Sequence, residues 1–211
     1  MAEPDGLYAA VLEGDWKAAA AATRNALEGG MAPVALVERR LVPAMDEVGR
    51  RFDCEEYFVP EMLLSARAMK ASMEILRPLL AASGAEPAGR VVIGTVKGDL
   101  HDIGKNLVAA MLEGGGFEVI DLGADVAPER FIEAAAARHA NLVALSALLT
   151  VTMPSMKTTI EAFRAAGLRE KVKIMVGGAP VTEQYANAIG ADGYGQSAGA
   201  AVALARRLVA G

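Results

Sequence analysis

The stretch Arg90-Val91-Val92-Ile93-Gly94-Thr95-Val96-Lys97-Gly98-Asp99-Leu100-His101-Asp102-Ile103-Gly104-Lys105-Asn106 decides how the chain is read. Residues 91–96 form a short apolar, largely β-branched run, which suits a strand buried on both faces. A polar loop follows over 97–102, and a helical pattern resumes with Ile103, Leu107, Ala110 and Met111 on one stripe. Loops that follow parallel strands are where open α/β sheets place their ligands. This one holds His101, one of only two histidines in the chain.

A phosphate-binding loop is the first candidate, and the spacing excludes it. That motif needs four residues between its glycines, then Lys followed by Ser or Thr. Gly98 and Gly104 are separated by five residues, and Asn106 follows Lys105. Asp99 and Asp102 would also place carboxylates where phosphate oxygens should sit. The loop offers instead a histidine, a carboxylate near enough to fix its tautomer, and a glycine that lets a bulky group approach the backbone.

Working outward, apolar strand-like runs (91–96, 118–122, 142–146, 172–176 and a weak one at 192–194) alternate with helical stretches (103–112, 128–139, 154–166, 181–189 and 198–208). Strict alternation predicts βαβ units and a doubly wound parallel sheet of flavodoxin-like or Rossmann-like type over 90–211. Residues 83–89, Ser-Gly-Ala-Glu-Pro-Ala-Gly, have the composition of a linker. Before it, the sequence from Asp15 to about Ala82 is helical. Asp15 is placed to cap a helix ending near Gly29, Pro33 to open a second, and Pro60 to open another. Pro43 falls inside the stripe Val34, Val37, Leu41, Met45, Val48 and is expected to kink or end that helix. In the last helix Leu63, Leu64, Ala68, Met69, Met73 and Leu76 are expected to face inward. Four or so helices over residues 1–82 make a small antiparallel helical bundle, giving an α/β protein with an N-terminal bundle.

The chain has 211 residues, 53% of them hydrophobic and 5% aromatic, so Ala, Val, Leu and Met are expected to fill its core. No run is long enough to span a membrane, and the N-terminus lacks the basic-then-apolar order of a signal peptide. A single cysteine, Cys54, excludes an internal disulfide framework and fits a reducing, cytoplasmic compartment. Cys54 has no histidine near it in sequence to make it a nucleophile. Residues 1–89 carry 14 acidic against 9 basic groups and residues 90–211 carry 12 of each, so the net charge of −5 lies in the first segment. Nothing there is a basic footprint for nucleic acid.

At this point the residues fit a known pattern. Asp99-x-His101-x-x-Gly104, Ser146-x-Leu148 and Gly177-Gly178, in that order, resemble the signature of cobalamin-binding proteins. They are similar above all to the corrinoid proteins of methyltransferase systems and to the cobalamin module of methionine synthase. The resemblance runs from residue 34 to about residue 208. It implies that His101 is the lower axial ligand of the cobalt, with Asp99 behind it and the hydroxyl of Thr152 behind Asp99. It also implies that residues 98–104 (Gly98, Asp99, Leu100, His101, Asp102, Ile103, Gly104) surround the ligand. Ser146, Leu148, Thr150, Gly177, Gly178 and Ala198 would line the channel for the cofactor's nucleotide tail. In the bundle, Glu38, Phe52 and Val59 match residues that cap the upper face of the corrin.

The function so implied is that of a methyl carrier cycling between cob(I)alamin and methylcobalamin. One substrate-specific methyltransferase loads the methyl group, and a second passes it to tetrahydrofolate or a thiol. A reductive activase is a further partner, and the 83–89 linker is the hinge by which the cap clears the cobalt. No catalytic residue is assigned to the chain itself, because the cobalt and the partner enzymes carry the chemistry. Two other readings share the histidine loop. A mutase small subunit lacks such a helical cap, and a cobalamin-based sensor needs a DNA-binding module.

Overall fold

A computed structural model describes residues 6–210; residues 1–5 and 211, which the expected domain limits include, lie outside the described residues. The chain divides into two compact units. One runs up to Pro87 and takes in Glu113–Gly116; the other comprises Ala88–Leu112 and the described residues from Phe117 onward.

The first unit is helical: α1 (Gly6–Leu12), α2 (Trp16–Glu28), α3 (Pro33–Leu36), α4 (Val42–Asp53) and α5 (Val59–Ala82). Asp15 caps α2 as expected, its carboxylate accepting from the Lys17 and Ala18 amides at 3.0 Å. Pro43 stands at the second position of α4, directly after a widened turn. The chain runs from α3 into α4 through a π turn, Val37–Leu41, closed by the Val42 amide on the Val37 carbonyl. A proline removes one amide and crowds the carbonyl four residues back, and a widened turn just before it relieves both.

Helix α1 has no sequence signal beyond three buried side chains, Leu7, Ala10 and Val11, and it is held by tertiary contacts. Its Leu12 carbonyl accepts from both Tyr57 Oη and Ser65 Oγ at 3.1 Å. The expected inward face of α5 holds in part: Ala68, Met69 and Leu76 are buried and Met73 is half-buried, but Leu63 and Leu64 are exposed, and Met62, Ser65 and Ser72 are buried instead. Two small serines occupy the stripe where counting apolar residues alone would not put them.

The second unit holds β1 (Arg90–Thr95), β2 (Glu118–Asp121), β3 (Leu142–Ser146), β4 (Lys173–Gly177) and β5 (Gly193–Gly195), every pairing parallel, in the order β2-β1-β3-β4-β5. Helices α6 (Ile103–Gly114), α7 (Pro128–Ala137), α8 (Pro154–Ala165), α9 (Glu183–Ile189) and α10 (Ala198–Ala210) connect and follow them. This is the flavodoxin-like order. Val92, Val143, Leu145, Ile174 and Val176 pack against Phe131, Met156, Ile160 and Phe163. Phe131 and Phe163 head the fully buried side chains by size, so two aromatics anchor a core expected to be aliphatic. Gly94 makes room for one of them, since a Cβ there would lie 2.8 Å from the Phe131 ring.

The topology sets the site. From β1 the chain crosses to β2 on one side, and from β3 to β4 on the other, so the loops after β1 and β3 diverge and leave a crevice. In-register pairing places Thr95, Ser146, Gly177 and Gly195 in one row across the carboxyl edge of the sheet.

Candidate functional site

A buried carboxylate organises the crevice. Asp99 has no exposed surface, yet it is not left unpaired. Its Oδ1 lies 2.7 Å from His101 Nδ1 and accepts from the His101 amide at 3.0 Å. Its Oδ2 accepts from the Leu148 amide at 2.8 Å, the Leu149 amide at 3.3 Å and Thr152 Oγ1 at 2.6 Å. Burial by itself would raise the carboxyl's pKa. The hydrogen bonds from Thr152, Leu148 and His101 outweigh it and hold the group well below the ordinary carboxylate range.

An ionised carboxylate can only accept, so the proton between Asp99 and the ring belongs to His101 Nδ1 and the lone pair to Nε2. Nε2 makes no hydrogen bond among the described residues, and the His101 side chain is 49% exposed. The ring is therefore held from behind by a fixed anion and presents a free lone pair to the front.

Leu100, Ile103 and Leu148 line the same cavity as His101 and are exposed large hydrophobic side chains, as are Leu149 and Val151 in the turn after β3. Ile103 was expected on the inward stripe of α6. It lies instead at the exposed mouth of the site, while Leu107 and Met111 are buried. A Cβ added at Gly104 would meet nothing within 4 Å.

Behind the mouth a cavity of about 660 Å³ runs over the sheet edge. Of the residues expected around the ligand, Leu100, His101, Asp102, Ile103, Gly104, Ser146, Leu148, Gly177, Gly178 and Ala198 line it. Gly98, Asp99 and Thr150 do not. Asp99 sits behind the wall, and Gly98 donates its amide to Asp125 Oδ1 at 2.8 Å. Thr150 is exposed in the turn after β3, whose backbone brings Thr152 rather than Thr150 against Asp99.

Gly178 has two reasons to be glycine. It lines the cavity, and its φ of 125° with an Ala147 carbonyl 1.9 Å from any Cβ excludes a side chain outright.

Several other wall residues carry no sequence signal: Lys105, Met175, Tyr194, Gly195 and Gln196. Lys105 is buried, its Nζ 2.6 Å from Asp121 Oδ1 and from Asn106 Oδ1. The separation of Lys105 from Asp121 in sequence hides that pair. Ser197, also on the wall, does carry a signal, because its Oγ caps α10 by accepting from the Ala200 amide at 3.0 Å.

The three bundle residues belong to the helical unit. Glu38 is exposed in the π turn; Phe52, near the end of α4, and Val59, at the start of α5, are half-buried. Between those two, Phe58 is 63% exposed. The segment joining α4 to α5 is fixed by Arg51, which donates to Glu47 Oε1 at 2.8 Å and to Tyr57 Oη at 3.0 Å. Hydrogen bonds from Arg50 and Arg51 lower the Glu47 carboxyl to about 2.

A half-exposed imidazole with a fixed lone pair, an apolar collar and a large cavity beside a glycine fit a flat, bulky metal macrocycle with a tail. Family comparison identifies it: residues 89–203 and residues 5–77 each match a family described as B12 binding domain. The chain belongs to the B12-binding corrinoid proteins of methyltransferase systems. It is 44% identical over 184 residues to dimethylamine corrinoid protein 1 of Methanosarcina acetivorans, covering 87% of this chain and 86% of that one. To trimethylamine corrinoid protein 2 of Methanosarcina mazei it is 45% identical over 195 residues, covering 92% and 89%. Among solved structures, the methanol:cobalamin methyltransferase complex MtaBC of Methanosarcina barkeri matches with a TM-score of 0.85 and 31% identity, over 98% of this chain and 79% of that one. A corrinoid protein of this family has cobalamin as its cofactor and a methyltransferase as its partner. No helix among the described residues is long and apolar enough to cross a membrane.

Proposed function

We propose that the chain is a cytoplasmic methyl carrier that receives a methyl group from a separate substrate-specific methyltransferase and yields it to a second one acting on tetrahydrofolate or a thiol. Bound cobalamin supplies the cobalt that takes up and gives up the methyl group. The protein's own part is to bind, orient and present. His101 Nε2 would ligate the cobalt, and Asp99 keeps the Nδ1 proton in place so that the lone pair stays on Nε2. The Thr152 hydroxyl donates to Asp99 and stabilises its negative charge. Leu100, Ile103, Leu148 and Val151 would offer the cofactor an apolar seat, Gly104 would leave room for it, and the row Ser146, Gly177, Gly195 would floor the cavity that takes the rest of it. Glu38, Phe52 and Val59 are the residues of the helical unit assigned to the upper face, with residues 83–89 as the hinge that clears it. A reductive activase is the remaining partner of this cycle.

The observation that carries this reading is the pairing of the half-exposed His101 with the buried Asp99. Two methylamine corrinoid proteins, 44% and 45% identical to this chain, favour a methylated amine as the source of the methyl group.

Reconstitution with hydroxocobalamin followed by gel filtration tests the first step, with about one corrinoid per chain expected. Absence of corrinoid absorbance in the protein peak ends the proposal. Methylation of the reduced holoprotein by a methylamine methyltransferase, but not by a methanol one, tests the second. The reverse preference overturns the assignment of donor.

A further inference from the structure

Asp99 holds the ring and amide of His101, but a second residue holds its carbonyl. Thr95 Oγ1 donates to the His101 carbonyl oxygen at 2.8 Å. The loop between β1 and α6 has no regular hydrogen-bond ladder, so each such tie counts. The Asp99 amide bonds the Val96 carbonyl at 3.1 Å, and the Asp99 carbonyl accepts from the Asp125 amide at 2.9 Å. Among the described residues, the His101 peptide is held by the Asp99 carboxylate on its amide side and by Thr95 on its carbonyl side.

Thr95 is suited to serve as a fixed post. It is fully buried at the end of β1. Its backbone amide donates to the Gly123 carbonyl at 2.9 Å, and its carbonyl accepts from the Val126 amide at 3.0 Å. Across the sheet it pairs in register with Ser146. It does not line the cavity, so it would touch no ligand.

We propose that Thr95 is a positioning residue for His101, its hydroxyl fixing how far the imidazole stands out from the sheet edge. The two ties then divide the work. Asp99 sets which nitrogen carries the proton, and Thr95 sets where the other nitrogen sits. A methyl group in place of the hydroxyl would press on the carbonyl oxygen and leave it without a donor, so the loop would shift while the Asp99–ring bond kept its tautomer. This inference rests on the reading of His101 as the cobalt ligand.

The test compares wild type, Thr95→Val and Thr95→Ser, each labelled with nitrogen-15 histidine. In the apo-proteins, nitrogen-15 NMR reads the His101 tautomer, and hydrogen exchange reads the amides of residues 100–103. After reconstitution with cobalamin and reduction to the cob(II) state, electron paramagnetic resonance reads the axial histidine nitrogen. Thr95→Val should keep the Nδ1–H tautomer, speed loop exchange about tenfold and weaken corrinoid affinity about three- to tenfold. Its spectrum should shift towards the form without axial histidine. Thr95→Ser, which keeps the hydroxyl, should restore all three. If Thr95→Val matches wild type in exchange and in axial nitrogen, or if Thr95→Ser behaves like Thr95→Val, the inference is overturned. If Thr95→Val does not fold, Thr95→Ala replaces it under the same criteria. A wild-type spectrum insensitive to histidine labelling would sink the ligand assignment instead, while apo-protein exchange still decides whether Thr95 holds the loop.

Discussion

Thr152 Oγ1 lies 2.6 Å from Asp99 Oδ2, although 53 residues separate them in sequence. The hydroxyl also lies 2.8 Å from the Leu149 carbonyl, but it has one proton, and the carboxylate, anionic and buried, is the stronger claimant. The contact completes a line from the open face of His101 through Asp99 into the turn after β3.

That line gives the apo-protein a characteristic acid sensitivity. The Asp99 carboxyl is held below its unfolded value of about 3.9, so its contribution to stability is fully present above that pH. It is lost as the pH falls through the unfolded value towards the folded one. Denaturant titration of wild type and Asp99→Asn between about pH 3 and 7 should show a steeper loss for wild type on the acid side. Parallel curves would mean that Asp99 titrates alike in both states. Thr152→Val should lessen the wild-type steepness without abolishing it, because the backbone amides of Leu148 and His101 remain.

His101→Ala removes the axial nitrogen and leaves the cavity floor of Ser146, Gly177 and Gly195. Cobalamin should still bind, more weakly, with the spectrum of a cofactor lacking a nitrogen base beneath cobalt. Asp99→Asn should be intermediate, within the roughly 10–100-fold loss usual when the partner of a ligating histidine is removed. Equal spectra for wild type and His101→Ala would show that the ligand lies elsewhere.

Two glycines on the same wall should respond in opposite ways to alanine. At Gly178 a Cβ would lie 1.9 Å from the Ala147 carbonyl oxygen with φ at 125°, so Gly178→Ala should cost at least about 3 kcal/mol in fold stability. At Gly104 a Cβ meets nothing within 4 Å and lies in the first turn of α6. Gly104→Ala should leave the apo-protein unchanged or stabilise it by up to about 1 kcal/mol, yet lower corrinoid affinity. Melting curves with and without cobalamin separate the two effects.

Phe52→Ala tests the assignment of the helical unit. If Phe52 covers the upper face, the variant should keep its cobalamin, and protein loaded with methylcobalamin should photolyse faster, since an open face lets the radical pair separate. Photolysis at the wild-type rate would make Phe52 a packing residue of the bundle alone.

Much of this was legible in the sequence because it depends on neighbours along the chain. The alternation of strand and helix, the Asp15 cap and the Asp99–His101 pair all involve residues within a few positions, where period, capping and loop chemistry act directly. The same locality made the fifth strand at Gly193–Gly195 readable from three residues.

Only the tertiary structure decided the rest. That Ser65 and Ser72 share the buried face of α5 with its apolar residues is a tertiary fact, Ser65 meeting the Leu12 carbonyl, and so is the π turn that precedes Pro43. Asp99 reaches the Leu148 amide and Thr152 because β1 and β3 lie side by side in register. Lys105 is buried because Asp121 ends the strand on the other side. Sequence patterns fix the elements and the chemistry each loop carries. Which loops come together is set by the order and register of the sheet, and these follow from burying all its strands at once.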